Sequence, residues 1–167
     1  MSDAQATLSI FAEVAVALAG FSGIIIAFGR RSLGALSPLE SRRLYNLYFS
    51  SGLVLFSSLL GNSLIHAESI DPALLWRGES ALILIFGFPW IVLDWLRVRG
   101  LDPAERADVK AYILYPFICA GILALILQVL NVITLGQSWP FFVALVFVIA
   151  FAFQQFILLV RMGFSES

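Results

Sequence analysis

Charged residues are scarce in this chain of 167 residues, where only 13% are Asp, Glu, Lys or Arg and 60% are hydrophobic. So few polar residues cannot cover the surface of a soluble globule. The formal net charge of -1 gives no reason to expect a nucleic-acid partner. Little chain is left outside the apolar stretches, so a separate soluble catalytic domain is not expected either.

Cysteine and histidine are also rare, since Cys119 and His66 are the only examples of each. One cysteine excludes an intrachain disulfide and a cysteine metal site. One histidine, with carboxylates on separate stretches, offers suitable atoms for a metal but no diagnostic ligand spacing. No base stands near a serine in the sequence. We therefore predict no metal, no cofactor and no enzymatic activity.

What the chain does have is five long apolar stretches separated by short polar connections. At about 1.5 Å per residue, each stretch is long enough to cross the hydrocarbon core of a bilayer. The predicted spans cover residues 8–29, 44–65, 73–96, 112–135 and 139–160. This pattern predicts an all-α integral membrane bundle of five transmembrane helices that forms one domain, 1–167. The first stretch lacks a basic start, so it is expected to be a span rather than a cleaved signal peptide.

The basic residues predict the orientation of the bundle. Nine of the ten fall in the first connection, in the third connection or after the fifth span. These nine are Arg30, Arg31, Arg42, Arg43, Arg97, Arg99, Arg106, Lys110 and Arg161. Basic residues near span ends stay in the cytoplasm, so the amino terminus is predicted outside and the carboxyl terminus inside. Arg42 and Arg43 are expected to reach towards anionic headgroups, and Asp94, beside Arg97, is expected to lie at the interface.

Three connections contain helix-start signals. Ser37, Asp71 and Asp102 each precede a proline that suits the first helical position. Glu40 and Glu105 then occupy the position of a capping box. The second and fourth helices are therefore predicted to begin before the apolar core of the membrane.

A strip of small residues marks the first span. Its members are Ala15, Ala19, Gly20, Gly23 and Ala27. Small residues at intervals of about four let a second helix approach closely in a membrane. Helix one is therefore predicted to be an interior helix or an oligomer contact, and the chain is predicted to form a homo-oligomer.

The segment from Ala19-Gly20-Phe21-Ser22-Gly23 to Gly29-Arg30-Arg31, with Ser37-Pro38 and Arg42-Arg43-Leu44, resembles an uncharacterised family of small bacterial multi-spanning membrane proteins. The resemblance covers about the first quarter of the chain. It implies a location in the bacterial inner membrane, and it implies no activity, substrate or site residue.

Polar residues inside the spans are concentrated near the predicted outer ends. The candidate site residues are Glu13, Asn62, His66, Glu79, Gln128 and Asn131, with Arg77 as their charge partner. An ionised carboxylate at this depth is costly unless it is paired or hydrated. In a structural interpretation, Arg77 neutralises Glu13 or Glu79, and the side-chain amides form hydrogen bonds with the remaining polar groups. In a functional one, Glu13, His66 and Glu79 form a proton or cation site that is open to the outside. Glu13 is expected to point into the bundle.

Helix two adds a polar face along its whole length. Asn46, Ser50, Ser57 and Gly61 form one stripe, and Ser51, Ser58, Asn62 and His66 form the next. Such a face lines a water-filled path, or its serines bond to carbonyls one turn back. Two functions therefore stay open. One is an oligomeric channel or transport-type protein for protons or small cations; the other is a non-conducting accessory subunit with an unidentified membrane partner.

Overall fold

The computed structural model describes residues 2–29, 37–67, 69–107 and 111–165, and no strand occurs among them. The helices are α1 (Ser2–Gly29), α2 (Pro38–Ile65), α3 (Pro72–Arg99), α4 (Pro103–Ala107), α5 (Ala111–Leu130) and α6 (Ser138–Ser165). A π-helical turn, Asn131–Leu135, follows α5 directly. The prediction of an all-α chain is confirmed.

Five helical segments are long and apolar enough to cross a membrane, as judged by length and composition. They are Asp3–Ile24, Pro38–Ile65, Pro72–Arg99, Tyr115–Leu135 and Ser138–Arg161. This number agrees with the number of predicted spans and is typical of a multi-pass membrane protein. Pro89 and Pro116 lie inside α3 and α5.

The start of α2 is the best-defined helix start. The backbone N–H of Glu40 donates to the Ser37 hydroxyl at 3.2 Å, and the N–H of Ser37 donates to the Glu40 carboxylate at 2.8 Å. This reciprocal pair is the predicted capping box. Asp71 precedes the first residue of α3, but its side chain makes no capping bond. Because α2 begins at Pro38, six residues before the predicted span, its first turns carry polar residues into the bundle.

Long helices that follow one another along the chain run antiparallel. Near the start of α1, the Gln5 amide lies 2.9 Å from Nε2 of His66 at the end of α2. The start of α2 meets the end of α3 through Arg42 and Asp94. The end of α5 meets the start of α6, where the Gln128 amide donates to the Pro140 carbonyl at 2.7 Å. We call the end of the bundle that holds Arg42 and Asp94 the basic end, and the other the opposite end.

The centre of the bundle is formed by α2 and α6 rather than by α1. Both apolar clusters of the core contain buried residues of α2 and α6, among them Leu47, Val54 and Leu145. Helix α1 packs mainly against α2 and α6. Its opposite face, which includes Val16 and Phe21, is exposed. Within the single chain, helix one is therefore peripheral rather than interior, and its alternative role as an oligomer contact stays a prediction.

The strip of small residues on α1 is used only in part. Ala15 is buried and Ala19 is half-buried, whereas Gly20 is exposed and has no atom within 4 Å of a Cβ built on it. A Cβ on Gly23 would come within 3.7 Å of the Tyr48 hydroxyl of α2. The Ala27 side chain lies outside the described ones. A helical turn has 3.6 residues, so residues four apart are rotated by about 40° relative to each other. The strip therefore gradually leaves the face of α1 that meets α2.

Candidate functional site

Among the described residues, the most deeply buried charged group is Glu79, which lies seven residues beyond the first residue of α3. Its side chain is 1% exposed, and neither carboxylate oxygen has a hydrogen-bond partner within the described part of the chain. The carboxylate lies against α2, because a Cβ built on Gly61 would be 3.5 Å from Oε1. The same point is 3.2 Å from Leu8 Cδ1 of α1. Glu79 is thus enclosed by three helices, and Gly61 provides the space for its carboxylate.

The expected ion pair with Arg77 is not formed. Arg77 is half-buried and its Nε has no partner, and no ion pair joins it to Glu13 or Glu79 among the described residues. Its Nε lies beside the turn after α5, 3.1 Å from a Cβ built on Gly136. The structural interpretation, in which this arginine neutralises a buried acid, is therefore wrong for the single chain.

Glu13 does not face the bundle. Its side chain is exposed, whereas Leu8, Ala15 and Leu18 define the buried face of α1. Residues two apart on a helix are separated by about 200°, so burial of Ala15 turns Glu13 away from the bundle. The prediction that Glu13 points inward is wrong for the single chain, and the sequence did not show which face of α1 is covered.

His66 and Asn62 continue the polar face of α2 beyond Gly61. His66 is exposed and hydrogen-bonds to Gln5, so it joins the ends of α1 and α2 rather than reaching Glu79. Asn62 is half-buried, and its Oδ1 is a buried acceptor without a partner. Of this pair, Asn62 has free hydrogen-bonding capacity beside Gly61.

Asn131 has a structural role at the turn between α5 and α6. Its amide donates to the Ser80 hydroxyl at 2.7 Å and to the Gln137 carbonyl at 2.9 Å, and its Oδ1 accepts from the Gln137 N–H at 2.9 Å. Gly136 ends the π-helical turn with φ of 60°, and its N–H donates to the Asn131 carbonyl. Gln128 fixes the same turn to α6, although its Oε1 has no partner. These two amides hold helices together, as the structural interpretation expected of the amides.

The polar face of α2 is buried along the bundle. Its inward members are Asn46, Ser50, Ser51, Ser57, Ser58 and Gly61. The hydroxyls of the four serines have no hydrogen-bond partner among the residues that the structure describes. By contrast, the exposed Ser63 donates to the carbonyl of Leu59 one turn back, at 2.8 Å. The predicted alternative, in which serines bond to carbonyls one turn back, therefore does not apply to the four buried serines. Buried hydroxyls without a hydrogen-bond partner are unusual in proteins.

A second polar cluster, at the basic end, was missed from the sequence. Asp94 accepts two bonds from Arg42, at 2.8 Å from Nε and 2.5 Å from Nη2, and a third from the Asn46 amide at 2.6 Å. The Trp90 indole donates to the Asn46 oxygen at 3.3 Å. We call these four residues the Asp94 network.

Burial shows that the Asp94 network is not an interfacial arrangement. The side chain of Arg42 is 6% exposed and that of Asp94 is 14% exposed. The expectation that Arg42 reaches towards headgroups and that Asp94 is an interface group is therefore wrong. Two signals were present in the sequence: Arg42 and Asn46 are one helical turn apart, and an aspartate within an apolar helix needs a cation.

The chemistry of the described residues is that of oxygen acceptors and hydroxyls. No group of three or more His, Cys, Asp or Glu suited to a metal occurs in the described ranges. What the geometry provides is one unpaired carboxylate at the opposite end, a line of unpaired hydroxyls, and a paired carboxylate at the basic end. No protein-family model matches the chain, and no curated protein or solved structure is detectably similar to it.

Proposed function

We propose that this chain is a multi-pass protein of the bacterial inner membrane that moves protons or small cations along the polar face of α2. The binding group is Glu79. The observation that carries the proposal is the environment of this side chain, which is 1% exposed and has two unpartnered carboxylate oxygens beside Gly61. A carboxylate in such a place is costly to the fold unless a proton or cation joins it.

The oxygen atoms that α2 carries on either side of Gly61 favour a proton or an alkali-type cation over a transition metal. Asn62 offers a buried oxygen without a partner on the residue after Gly61. Ser57 and Ser58 add hydroxyls one turn further along α2. Oxygen donors suit hard cations and hydronium, whereas transition metals favour histidine and cysteine.

The serines supply the path. A hydroxyl both donates and accepts, so a line of unpaired hydroxyls binds water and relays protons. This line extends from Gly61 towards Asn46, which already belongs to the Asp94 network. Glu79 and Asp94 are fifteen residues apart on α3, or about 22 Å along the helix axis. In this proposal Glu79 receives the ion at one end, and the Arg42–Asp94 pair closes the other.

The distribution of basic residues supports an orientation with the basic end in the cytoplasm. Arg97, Arg99 and Arg161 all lie at helix ends on this side, as the rule for basic flanks requires. Glu79 then lies in the outer leaflet. Single cysteines test the orientation in a Cys119→Ser background, because Cys119 is itself exposed. We expect an impermeant maleimide to label Ser2→Cys from outside and Ser165→Cys only from inside; the reverse pattern would refute the orientation.

Ion flux in reconstituted vesicles tests the function. We expect wild type to dissipate an imposed pH or cation gradient, and Glu79→Gln to slow this flux by about tenfold or more because a neutral amide cannot take up the ion. Asp71→Asn is the matched control, since Asp71 is an exposed acid just before α3 and its side chain makes no capping bond. Equal flux for wild type and Glu79→Gln, with both proteins folded, would refute the site, and a wild type without flux would refute the function.

One observation favours a second candidate, a non-conducting accessory subunit. Glu13 is exposed although it lies in the middle of the apolar segment Asp3–Ile24. A carboxylate that faces lipid at mid-depth is costly, so a second copy or another membrane protein would cover it. Mass measurement in nanodiscs distinguishes these arrangements. We expect a homo-oligomer that Glu13→Gln weakens; a monomer that gains a stable partner only in native membranes would favour the accessory role.

A further inference from the structure

A partly open cavity of about 340 Å³ lies between α3, α5 and α6 at the basic end. This volume is at the lower end of the range of small-molecule sites, about 300–1,000 Å³. Its walls include Trp90, Trp95, Val98, Gly121, Phe147 and Phe151. The segments that line it on α3 and α5 begin directly after Pro89 and Pro116.

We propose that this cavity binds one acyl chain of an anionic phospholipid, whose headgroup lies at Arg99. The inference needs only that the five helices span a membrane, and it is independent of ion transport. Asp94 is the one charged residue among the described residues of the lining, and both of its oxygens are already bound by Arg42 and Asn46. The cavity therefore has no free charge for a polar ligand, and its other walls are apolar or aromatic.

The exposure of residues along the rim of the cavity indicates how the acyl chain enters. Val92 and Trp95 line the cavity and are 41% and 40% exposed, so the opening is on the outer surface of the bundle rather than between buried helices. That surface is in contact with lipid when the helices cross a membrane. From Trp90 to Val98 the α3 wall extends over about 12 Å along the helix axis. When an extended acyl chain lies along this wall, the headgroup of its lipid lies at the basic end of the bundle.

The charge at that end selects the headgroup. The Arg99 guanidinium lies 4.7 Å from the ring centroid of Trp95, one turn beyond the rim. On the other side of the helix, the Arg97 guanidinium lies 3.8 Å from the ring centroid of Tyr45, so Arg99 is the cation on the side of the cavity. Cations beside aromatic rings at a membrane interface are suited to a phosphate group. A phosphatidylglycerol-type lipid has the complementary negative charge, whereas the headgroup of phosphatidylcholine has no net charge.

Native mass spectrometry of the full chain, with matched phosphatidylglycerol and phosphatidylcholine, tests the proposal. We expect one phosphatidylglycerol per chain, bound about tenfold more tightly than phosphatidylcholine. Gly121→Leu should abolish this binding, because a Cβ there already lies 3.1 Å from Phe147 Cζ and 3.7 Å from Ile91 Cδ1, so a longer side chain extends into the cavity. Gly52→Leu is the matched control on α2, where nothing lies within 4 Å. Arg99→Gln should remove the preference between the two lipids and leave binding of either.

Three results would overturn the proposal. One is equal binding by Gly121→Leu and Gly52→Leu, and another is a wild type without preference between the lipids. The third is a wild type that binds no lipid and exists as a dimer that Gly121→Leu dissociates, which would assign the cavity to a second copy. If Gly121→Leu does not fold, Ile118→Trp fills the cavity from another position on α5, and retention of lipid by that variant would be equally decisive.

Discussion

Glu79 and Asp94 are both acids on the face of α3 that meets α2, but their surroundings differ. Asp94 receives three hydrogen bonds from Arg42 and Asn46. Glu79 is more deeply buried and receives none from the described residues. An acid that holds helices together needs donors around it, and Asp94 has them. Glu79 faces Gly61 and Leu8 instead, so stability does not account for its presence.

The largest expected effect is at Asp94. Arg42→Met removes the cation and leaves a buried carboxylate with fewer donors, which should lower the free energy of unfolding by about 3–5 kcal/mol. Denaturant titration in mixed micelles measures the loss. Adding Asp94→Leu to the same chain should restore most of the stability, because the two apolar side chains replace the ion pair.

Arg97→Met is the control for this prediction. Arg97 is exposed and stacks on Tyr45, so its loss should cost only about 0.5–1 kcal/mol. If Arg42→Met and Arg97→Met are equally stable, the Asp94 network does not hold the basic end together, and the contrast with Glu79 disappears.

The turn beside Glu79 should be nearly as sensitive. Gly136 has φ of 60°, and a Cβ on it would lie 3.0 Å from Ala73 Cβ and 3.1 Å from Arg77 Nε. Gly136→Ala should therefore lower the free energy of unfolding by about 1–3 kcal/mol, measured in the same way. Gly52→Ala has open space and should instead raise it by about 0.5–1 kcal/mol. A neutral Gly136→Ala would mean that the opposite end tolerates rearrangement around its unpaired acid.

Glu79 itself should respond in the opposite direction to Asp94. Glu79→Met keeps a similar volume beside Leu8 and removes a buried polar group without partners, so it should raise the free energy of unfolding by about 1–3 kcal/mol. Asp94→Leu alone should lower it, because Arg42 is left without its carboxylate. A stability loss for both variants would show that the two acids have the same structural role.

The smallest expected change in stability is at the serines. Ser57→Ala removes a buried hydroxyl that has no partner but also leaves a space the size of one oxygen, and because these two effects oppose each other the free energy of unfolding should change by no more than about 0.5 kcal/mol. Its ion flux in vesicles should nevertheless fall, because the line of hydroxyls is interrupted. Ser63→Ala is the matched control on the exposed side of α2 and should leave the flux unchanged. Equal flux in the two variants would argue against a path along α2.

Much of the fold was predictable because it depends on local sequence. The number of long helices follows from the number of apolar runs that are long enough to cross a membrane. The start of α2 follows from Ser37, Pro38 and Glu40, which lie within four residues of one another. The polar face of α2 was also predictable, since its serines recur at helical spacing. These features need no information about neighbouring helices.

The contacts of the polar residues were harder to predict. A helix that is apolar on all sides gives no periodic signal for the face it buries, and so the orientation of Glu13 was predicted wrongly. The partner of Asp94 depends on the relative position of α2 and α3 along their axes. In the structure this position places Arg42 beside Asp94. The π-helical turn after Leu130 also changes which way the following side chains face. Gly136 was the only turn residue in the sequence that indicated an irregular helix end there.

The central position of α2 has a consequence for how the protein is made. By composition it is the least apolar of the five spanning helices, yet two of the helices that cover it, α3 and α6, are synthesised later. When α2 leaves the ribosome, Arg42 has no Asp94 to neutralise it, and the serine face has no α6 to shield it from lipid. We therefore expect stable insertion of α2 into a membrane to depend on α3 entering as the second half of a helical hairpin. The contacts of α2 are formed in full only when α6 has also been synthesised.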